Sequence, residues 1–287
     1  MSKQRLLVTG SSGILGAAVV SHLACRWDIV QLDLRPPSPE NQAEPGAVYT
    51  GSFLDTALVH KAIEGVDAVV HCGAIPGSRP PLHDVVETNV QGTFNLLEAA
   101  GESDTVARFV FISSIMWHGF HDQPPGRNIP SRLPIDETVH AESADCYATT
   151  KAQCEDWCKR FVDWYGKPVT ALRPSHIIGA QQLEAFAAMD HTRPEPHLHD
   201  YIGVWDIAAA VEHALQYDPP NGFEAFLINA DDQYTKVPSA ELVHRLFPGV
   251  SHVERDKLDA CDGFGALVDC GKAKKHLGWR PSYRCRR

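Results

Sequence analysis

A tyrosine and a lysine stand four residues apart in the stretch YATTK, residues 147–151. If this stretch opens a helix, the spacing places both side chains on one face. A lysine ammonium beside a phenol favours the ionised phenol, so Tyr147 can exchange a proton with an alcohol or a carbonyl oxygen. The same pair also occurs by chance on exposed helix surfaces, so its meaning depends on its neighbours.

Two serines, Ser113 and Ser114, directly follow the apolar run FVFI. Such a run predicts a buried strand, and the carboxyl end of a parallel strand is where α/β folds bind their ligands. A hydroxyl placed there can hold a substrate oxygen beside Tyr147. The order of strand, serine, tyrosine and lysine favours an enzymatic site over an exposed helix pair.

Three glycines, Gly10, Gly13 and Gly16, lie at the junction between the apolar run LLVT and the helix-like stretch 14–25. A strand that turns at once into a helix points the free N–H groups of the first helical turn at the junction, where they can bind a pyrophosphate. The spacing G-x-x-G-x-x-G is one residue wider than the common dinucleotide-binding fingerprint. Alone it is a weak signal, because similar turns occur where nothing binds.

The next apolar run, DIVQLDL, brings Asp33 to the end of a second strand. A carboxylate there can accept hydrogen bonds from both hydroxyls of an adenosine ribose. It would repel a 2′-phosphate at ~4 Å by up to ~4 kcal/mol at an effective dielectric of 20. NAD is therefore the predicted cofactor rather than NADP. Two alternatives stay open: Asp33 simply ends a strand, and Arg35 is either solvated or able to reach a 2′-phosphate.

Apolar runs bounded by turn residues alternate with helix-length amphipathic segments along the first 180 residues. This alternation predicts an α/β fold with a doubly wound parallel sheet of the Rossmann kind. The region beyond is less regular and predicts a small C-terminal lobe that caps the substrate. The predicted strands are RLLVTG, DIVQLDL, AVYTGS, DAVVHCGA, ARFVFISS, PVTALRPSHIIG and 223–229, and the predicted helices are 14–25, 55–64, 83–101, 147–165, 204–217 and 238–247. The expected division is a dinucleotide-binding domain over 1–178 with 201–230, and a substrate lobe over 179–200 and 231–287.

These motifs together resemble an extended short-chain dehydrogenase/reductase of the NAD-dependent epimerase/dehydratase family. The resemblance rests on VTGSSGILG, GSFLD, HCGAIP, TNVQGTFNLLEAA, FISSIMWHG, YATTK, LRPSHIIG and VDCGKAKKHLGWRPSY. It implies hydride transfer between a nicotinamide and a carbinol or carbonyl carbon, with Ser114 rather than Ser113 as the catalytic hydroxyl beside Tyr147 and Lys151. The implied cofactor-binding residues are Gly10, Ser12, Gly13, Ile14, Leu15, Gly16, Asp33, Leu34, Arg35, Phe53, Leu54, Cys72, Gly73, Ala74, Asn89, Tyr147, Lys151 and Pro174.

Some of these residues have particular implied roles. Phe53 and Leu54 would flank the adenine, and Asn89 would brace the central strands. Ser52 stands where the family usually has an acid, which leaves the details of adenine contact open.

The segment over residues 180–200, between the last strand motif and YIGVWDIAAA, is short for a lid that grips a nucleotide. A short cap implies a small substrate and resembles uronate dehydrogenases, which oxidise a free sugar acid. Trp117 lies in a pocket wall or in the core, His176 faces the substrate or ends a strand, and Arg193 meets an acid or lies at the surface. The candidate substrate residues are Ile75, Pro76, Ser114, Ile115, Met116, Trp117, Tyr147, His176 and Arg193.

Two other functions remain as alternatives. One is a sugar epimerase that retains its NAD; a dehydratase is less favoured, because SSIMWHG has no acidic pair after the serine. The other, from a different class, is a catalytically idle regulator that senses NAD(H). The intact serine, tyrosine and lysine argue against a sensor.

Charge and composition exclude several other classes. The net charge of -10 disfavours nucleic acid and anionic membranes as partners. No stretch approaches the ~20 apolar residues of a membrane span, and the first residues do not read as a signal peptide, so a cytoplasmic location is expected. The eight cysteines are expected as reduced thiols, and none of the 15 histidines has zinc-ligand spacing, so no metal is expected.

The helix over Tyr147–Tyr165 suggests that the chain assembles, and the resemblance implies a homodimer built on this helix. It carries Trp157, Phe161 and Trp164 along one stripe, with cysteines and Tyr165 on an adjoining one. A helix that is apolar around so much of its circumference packs against other elements on two sides. The alternative is deep burial of this helix within one chain.

Overall fold

The computed structural model describes residues 3–38, 46–77, 81–121, 128–143, 145–179, 182, 186 and 198–285. The strands are β1 Arg5–Thr9, β2 Asp28–Asp33, β3 Val48–Thr50, β4 Ala68–His71, β5 Arg108–Ile112, β6 Arg132–Leu133, β7 Val169–Pro174, β8 Ile177–Ile178, β9 Ile202–Gly203, β10 Phe223–Ile228 and β11 His252–Val253. Seven of them form one parallel sheet in the order β3-β2-β1-β4-β5-β7-β10, which confirms the doubly wound α/β prediction.

Helices cover both faces of this sheet, as the continuous apolar runs of its strands require. All residues of β4 and β7 are buried. The helices are α1 Ile14–Leu23, α2 Thr56–Ile63, α3 Leu82–Val86, α4 Gly92–Glu102, α5 Cys146–Tyr165, α6 Val204–Ala214, α7 Ser239–Leu246, α8 Arg255–Leu258, α9 Ala260–Gly263 and α10 Gly271–His276. One core contains the buried faces of α1 and α6, and the other those of α2, α4 and α5.

The segment predicted as one helix over 83–101 contains an irregularity. Its middle, Glu87–Gln91, is a π-helical turn between α3 and α4. Such turns widen a helix by one residue and often occur at functional sites. Here the turn contains Asn89, which is 1% exposed.

The strand order reverses at β1, whose neighbours are β2 on one side and β4 on the other. The connections therefore leave in opposite directions, and a crevice opens above the carboxyl ends of these strands. The glycine turn after β1, Asp33 at the end of β2 and Cys72 after β4 lie at this edge.

The C-terminal part packs on the first core. Leu242, Leu258 and Trp279 belong to the same buried cluster as Leu6 of β1. The Trp279 ring N–H donates a hydrogen bond of 2.8 Å to the Asp206 carbonyl at the start of α6. The proposed boundaries of a separate substrate lobe stay a prediction.

No helix in the described part of the chain is long and apolar enough to cross a membrane. All eight cysteines are free thiols. Within the same described residues, no group of three or more His, Cys, Asp or Glu side chains is placed to hold a metal ion.

Candidate active site

The glycine turn after β1 brings three backbone segments into close contact. Gly10 has a φ of +65°, and a Cβ there would lie 2.6 Å from the backbone nitrogen of Gly73, just after β4. A Cβ on Gly16 would lie 2.0 Å from the Gly10 carbonyl oxygen. Gly10 and Gly16 are therefore required for packing, and Gly13 caps α1; all three border the cavity.

The first turn of α1 is suited to an anion. Gly13 caps the helix without a side-chain hydrogen bond, and the first turn has no acidic residue. The free N–H groups and the positive end of the helix dipole thus face the cavity that Gly13, Ile14, Leu15 and Gly16 border. This turn fits the pyrophosphate of a dinucleotide.

Asp33 is held in a fixed orientation at the end of β2. Its Oδ2 accepts the Ser12 N–H at 3.0 Å, and its Oδ1 accepts the Arg35 N–H at 3.0 Å. The Ser12 hydroxyl donates to the Arg35 carbonyl at 2.8 Å, which closes the turn. Carboxylate oxygens accept more than one hydrogen bond, so Asp33 retains capacity for ribose hydroxyls. Leu34 is 68% exposed beside it.

A cavity of about 1070 Å³ lies above the carboxyl ends of β1, β4, β5 and β7. This volume is at the upper end for small-molecule sites. It brings together sixteen residues that the sequence suggested: Gly10, Gly13, Ile14, Leu15, Gly16, Arg35, Cys72, Ala74, Pro76, Ser114, Ile115, Met116, Tyr147, Lys151, Pro174 and His176.

Tyr147 and Lys151 reach this cavity from the start of α5. The Asp145 carboxylate caps the helix by accepting the Ala148 N–H at 2.8 Å. The Lys151 Nζ lies 5.8 Å from the centre of the Tyr147 ring. It also donates to the Ile112 carbonyl at 2.8 Å, and the lysine is only 4% exposed. The ammonium is thus fixed at the end of β5 beside the phenol.

The two serines after β5 have different environments. Ser114 caps the short 3₁₀ helix Ile115–His118, and its oxygen accepts the Met116 N–H at 3.2 Å. Its hydroxyl hydrogen has no acceptor among the described residues and can be donated to a ligand. The Ser113 hydroxyl instead donates to the buried Glu155 carboxylate at 2.6 Å. Only Ser114 is in a state suited to holding a substrate oxygen.

A buried ion pair lies beneath these residues. Arg173 of β7 donates to both oxygens of Glu155 through Nε at 2.8 Å and Nη2 at 2.6 Å. The two side chains are 5% and 0% exposed. Glu155 lies one helical turn after Lys151, so the pair joins α5 to β7 directly below the cavity.

The same arginine fixes the helical turn after Ser114. The Trp117 ring lies flat against it, with 3.5 Å between the guanidinium carbon and the ring centre. Arg173 Nη1 donates to His118 Nε2 at 3.3 Å, and His118 Nδ1 donates to the Val139 carbonyl at 2.5 Å. Burial, followed by the Arg173 charge, lowers the pKa of His118 to about 3. Trp117 therefore supports the site and does not border the cavity.

Asn89 acts on the cavity wall through the backbone of Ile75. Its Oδ1 accepts the Ile75 N–H at 2.8 Å, and its Nδ2 donates to the Ile75 carbonyl at 3.1 Å. Nδ2 also lies 3.2 Å from the Thr150 hydroxyl, next to Lys151. The π-helical turn thus joins the segment after β4 to α5.

Phe53 lies in the second core rather than at the cavity border. A Cβ on Gly73 would lie 2.5 Å from the Phe53 ring, and one on Gly92 would lie 2.3 Å from it. The Leu54 N–H donates to the Ser52 hydroxyl at 3.1 Å, so the turn is closed by serine where the family usually has an acid. Contact of Phe53 and Leu54 with an adenine stays a prediction.

Cys72 borders the cavity at the end of β4. Burial raises the pKa of its thiol to about 12, against the opposing effect of the Lys151 charge. The side chain is therefore a neutral thiol at physiological pH, and it contributes shape rather than a nucleophile.

Ser113, which the sequence analysis set aside as the catalytic hydroxyl, also borders the cavity. Several other residues of the border were missed from the sequence: Ile112, His121, Ser175, Ile177, Phe186, His199, Asp200 and Tyr234. Of these, His121 and Asp200 form a pair, with 2.6 Å between Nε2 and Oδ1. The available signal in the sequence was the stretches HGFH, residues 118–121, and HLHD, residues 197–200. Arg193 lies outside the described residues.

Comparison with known proteins agrees with this geometry. The model of the NAD dependent epimerase/dehydratase family matches residues 6–195. A uronate dehydrogenase from Pseudomonas syringae pv. tomato is 28% identical over 76% of this chain and 71% of its own length. A UDP-glucose 4-epimerase from Lacticaseibacillus casei is 24% identical over 97% of this chain and 92% of its own.

Solved structures show the same fold. The UDP-glucose 4-epimerase of Thermotoga maritima, solved with UDP-glucose, superposes with a TM-score of 0.74 at 21% identity, over 98% of this chain and 94% of its own. The UDP-glucose 4-epimerase of Brucella ovis, solved with NAD, has a TM-score of 0.73 at 24% identity, over 98% and 94%. The family match confirms the predicted enzyme class and NAD as cofactor. The chain belongs to the NAD-dependent epimerase/dehydratase family, a group of extended short-chain dehydrogenases/reductases.

Proposed function

We propose that this protein is a dehydrogenase that transfers a hydride between NAD and a carbinol or carbonyl carbon of a small, sugar-like substrate. One observation carries the proposal. Ser114, Tyr147 and Lys151 border the same cavity as the glycine turn that is suited to a pyrophosphate. A proton-exchanging group and a dinucleotide site therefore share one space.

Each of the three side chains has a distinct role in this proposal. NAD supplies the hydride acceptor when it is bound. Ser114 donates its hydroxyl hydrogen to the substrate oxygen and holds it in place. Tyr147 removes the alcohol proton, or returns it to a carbonyl oxygen in the reverse direction. Lys151, fixed by the Ile112 carbonyl, stabilises the negative charge on the phenol oxygen.

The environment of Asp33 supports NAD over NADP. Its carboxylate is oriented by two backbone N–H groups and carries the negative charge that a 2′-phosphate would meet. Arg35 borders the cavity nearby and is the residue able to offset that charge. The fixed position of Asp33 makes hydroxyl recognition the better-supported role.

A free sugar or sugar acid is the substrate class that the chain supports best. The segment over residues 180–200 is short for a nucleotide-binding lid. Two relatives are named uronate dehydrogenase and NAD-dependent glucose-6-phosphate dehydrogenase, and both are 28% identical to this chain over the matched residues. We infer that this chain likewise oxidises a sugar that carries no nucleotide.

Epimerisation is the second candidate. It is favoured by the UDP-glucose 4-epimerase relatives, one of which matches 97% of this chain. The same serine, tyrosine and lysine would serve, but the hydride would return to the substrate and no NADH would accumulate. An idle NAD(H) sensor is less supported, because it would not need Ser114 and Tyr147 together.

Replacement of Tyr147 by phenylalanine tests the proposal. The wild-type protein, mixed with NAD and a panel of sugars and sugar acids, is expected to form NADH, seen by its near-ultraviolet absorbance. Tyr147→Phe should lower kcat by about 100-fold or more, because the proton acceptor is lost, with the NAD affinity nearly unchanged.

Tyr165→Phe is the matched control, since Tyr165 lies at the far end of the same helix and is 37% exposed. It should retain wild-type activity. Substantial turnover by Tyr147→Phe would reject the catalytic assignment. Interconversion of UDP-sugars by the wild-type protein without net NADH would select the epimerase.

The α5 helix also supports a homodimer, which we propose as the working assembly. Its Cys154, Cys158 and Phe161 are buried within the chain, whereas Trp164 is 58% exposed. The neighbouring α3 adds exposed Leu82 and Val86. The alternative of complete burial within one chain is thus wrong for Trp164. Large exposed apolar side chains on two helices suit a second copy of the chain.

A further inference from the structure

The indole of Trp117 lies over the Arg173 guanidinium, and the proposed hydride transfer gives this contact no role. The guanidinium carbon is 3.5 Å from the centre of the Trp117 ring. A cation this close to an aromatic face is attracted by the negative charge density of the ring, and more strongly where water is excluded. The Arg173 side chain is 5% exposed. The contact therefore holds the indole, and the helical turn that carries it, against a buried cation.

That turn determines the orientation of the Ser114 hydroxyl. Ser114 caps the 3₁₀ helix Ile115–His118, and its side-chain oxygen accepts the Met116 N–H at 3.2 Å. Its carbonyl accepts the Trp117 N–H at 3.1 Å. The hydrogen bonds of a short 3₁₀ turn have poorer geometry than those of an α-helix, so they give the turn little rigidity. The position of Ser114 therefore depends on contacts that fix the turn from outside.

His118 provides a second contact between the turn and Arg173. Its Nε2 accepts a hydrogen bond of 3.3 Å from Arg173 Nη1, and its Nδ1 donates to the Val139 carbonyl. These two bonds require a neutral ring, because only an unprotonated nitrogen accepts. Trp117 covers the face of the guanidinium and His118 meets its edge. The turn is thus held on two sides of one planar group.

The same guanidinium also fixes α5. Its Nε and Nη2 donate to the Glu155 carboxylate at 2.8 Å and 2.6 Å. A planar fork of this kind matches a carboxylate in one geometry. Glu155 lies one helical turn after Lys151 and two turns after Tyr147, on the same face of the helix. One rigid group therefore contacts both the element that carries Tyr147 and the turn that begins at Ser114.

The relative position of the serine hydroxyl and the phenol affects the rate more than the binding of substrate. A displacement of about 1 Å at a reacting group lowers a rate by about 100-fold. The hydrogen bond from Ser114 is strongest when charge develops on the substrate oxygen, so its loss lowers kcat rather than raising KM.

We propose that Trp117 is a positioning residue, which by packing on Arg173 sets the Ser114 hydroxyl relative to Tyr147. The inference rests on the proposed function in one respect: it takes Ser114 to hold the oxygen that exchanges its proton with Tyr147.

A double-mutant cycle with Ser114 tests this role. Trp117→Leu removes the ring face and keeps the ion pair of Arg173. It should lower kcat at least about tenfold, with KM and the NAD affinity within about threefold of wild type. In a Ser114→Ala background the same change should lower kcat less than about twofold, because the hydroxyl that it positions is already absent. A side chain that only stabilised the fold would lower kcat equally in both backgrounds.

Two further variants complete the cycle. Trp117→Phe retains an aromatic face over the guanidinium and should keep kcat within about threefold of wild type. Trp27→Leu is the matched control, because Trp27 is half-buried like Trp117 and lies just before β2, at the opposite edge of the sheet from the cavity. It should leave kcat unchanged. The proposal is overturned if Trp117→Leu keeps the wild-type kcat, if its loss persists in full without the Ser114 hydroxyl, or if Trp117→Phe loses as much.

Hydrogen exchange at the Met116 amide separates this inference from the proposed function, because it needs no turnover. This amide is the donor to Ser114, so it should exchange at least about tenfold faster in Trp117→Leu and at the wild-type rate in Trp27→Leu. Equal exchange in Trp117→Leu and wild type would overturn the proposal. A wild-type protein that forms no NADH with any sugar would reject the dehydrogenase, while the exchange rate still decides whether Trp117 fixes the turn at Ser114.

Discussion

At the scale of single residues, the two serines after β5 are chemically identical and differ in what surrounds them. Ser113 donates its hydroxyl to a buried carboxylate, whereas Ser114 accepts a backbone N–H and keeps its hydrogen to donate. These hydrogen bonds therefore give a physical reason for preferring Ser114 to Ser113 as the catalytic hydroxyl, a preference that in the sequence rested on resemblance alone.

Alanine substitution at each serine tests this difference. Ser114→Ala should lower kcat by about 100-fold, because the substrate oxygen loses its donor, with the NAD affinity unchanged. Ser113→Ala should leave kcat within a few fold and lower the free energy of unfolding by about 1–3 kcal/mol, since Glu155 loses a buried hydrogen bond. Kinetics and urea unfolding of both variants provide the measurement. Reversed results would assign the catalytic hydroxyl to Ser113.

The sequence was sufficient to suggest those residues of the cavity border that lie within short motifs. Gly13, Tyr147 and Lys151 are recognisable because local spacing alone sets their neighbours. His121 and Asp200 were missed because they are 79 positions apart, and only the fold brings them together. Trp117 could not be assigned for a similar reason, since its partner Arg173 lies on another strand.

At the scale of elements, α5 connects the site to the sheet. Its first turns carry Tyr147 and Lys151, and the next turn carries Glu155, which is paired with Arg173 of β7. The sequence predicted the helix and its length because its apolar spacing is local. It did not predict the ion pair, nor the π-helical turn at Asn89, because no hydrophobic period marks an inserted residue.

Removal of the Glu155 charge should be strongly destabilising. Glu155→Gln leaves the Arg173 guanidinium buried without its counter-charge, and we expect a loss of about 3–5 kcal/mol in the free energy of unfolding. Asp156→Asn is the control at the adjacent position, where the side chain is 74% exposed, and should change stability by less than about 1 kcal/mol. Urea unfolding of the two variants compares them directly. Equal stability would show that the pair contributes nothing to the fold.

At the scale of the whole molecule, two buried histidines couple stability to pH. Burial, with a further effect of the Lys151 charge, lowers the pKa of His71 to about 3, and burial with the Arg173 charge does the same for His118. In the unfolded chain both would titrate near 6.5. The folded state therefore stays neutral at these sites where the unfolded state gains protons.

Above about pH 6.5 the two histidines therefore do not lower the free energy of unfolding, and they lower it progressively as the pH drops from 6.5 toward 3. Each histidine should lower the free energy of unfolding by about 2 kcal/mol when the pH changes from 7.5 to 5. Urea unfolding at both pH values tests this, with His71→Gln expected to lose about 2 kcal/mol less than the wild type over that interval. His83→Gln, on the surface, should behave as the wild type. An unaltered pH dependence in His71→Gln would contradict the assignment.

The proposed dimer is also tested at this scale. Trp164→Glu replaces an exposed apolar side chain of α5 with a charge, and should shift the protein from dimer to monomer in equilibrium sedimentation at micromolar concentration. Lys275→Glu, exposed on α10, is the control and should stay dimeric. A wild-type protein that sediments as a monomer would refute the dimer.

The glycines of the turn after β1 indicate how far such a motif, by itself, identifies a dinucleotide-binding site. Gly10 and Gly16 are small because neighbouring backbone leaves no room for a side chain, and this would hold in a descendant that had lost its dinucleotide. A Cβ on Gly13 would be less severely crowded, since its nearest contact would be the Gly10 carbonyl oxygen at 3.2 Å. Retention of the outer two glycines therefore diagnoses the fold rather than the cofactor.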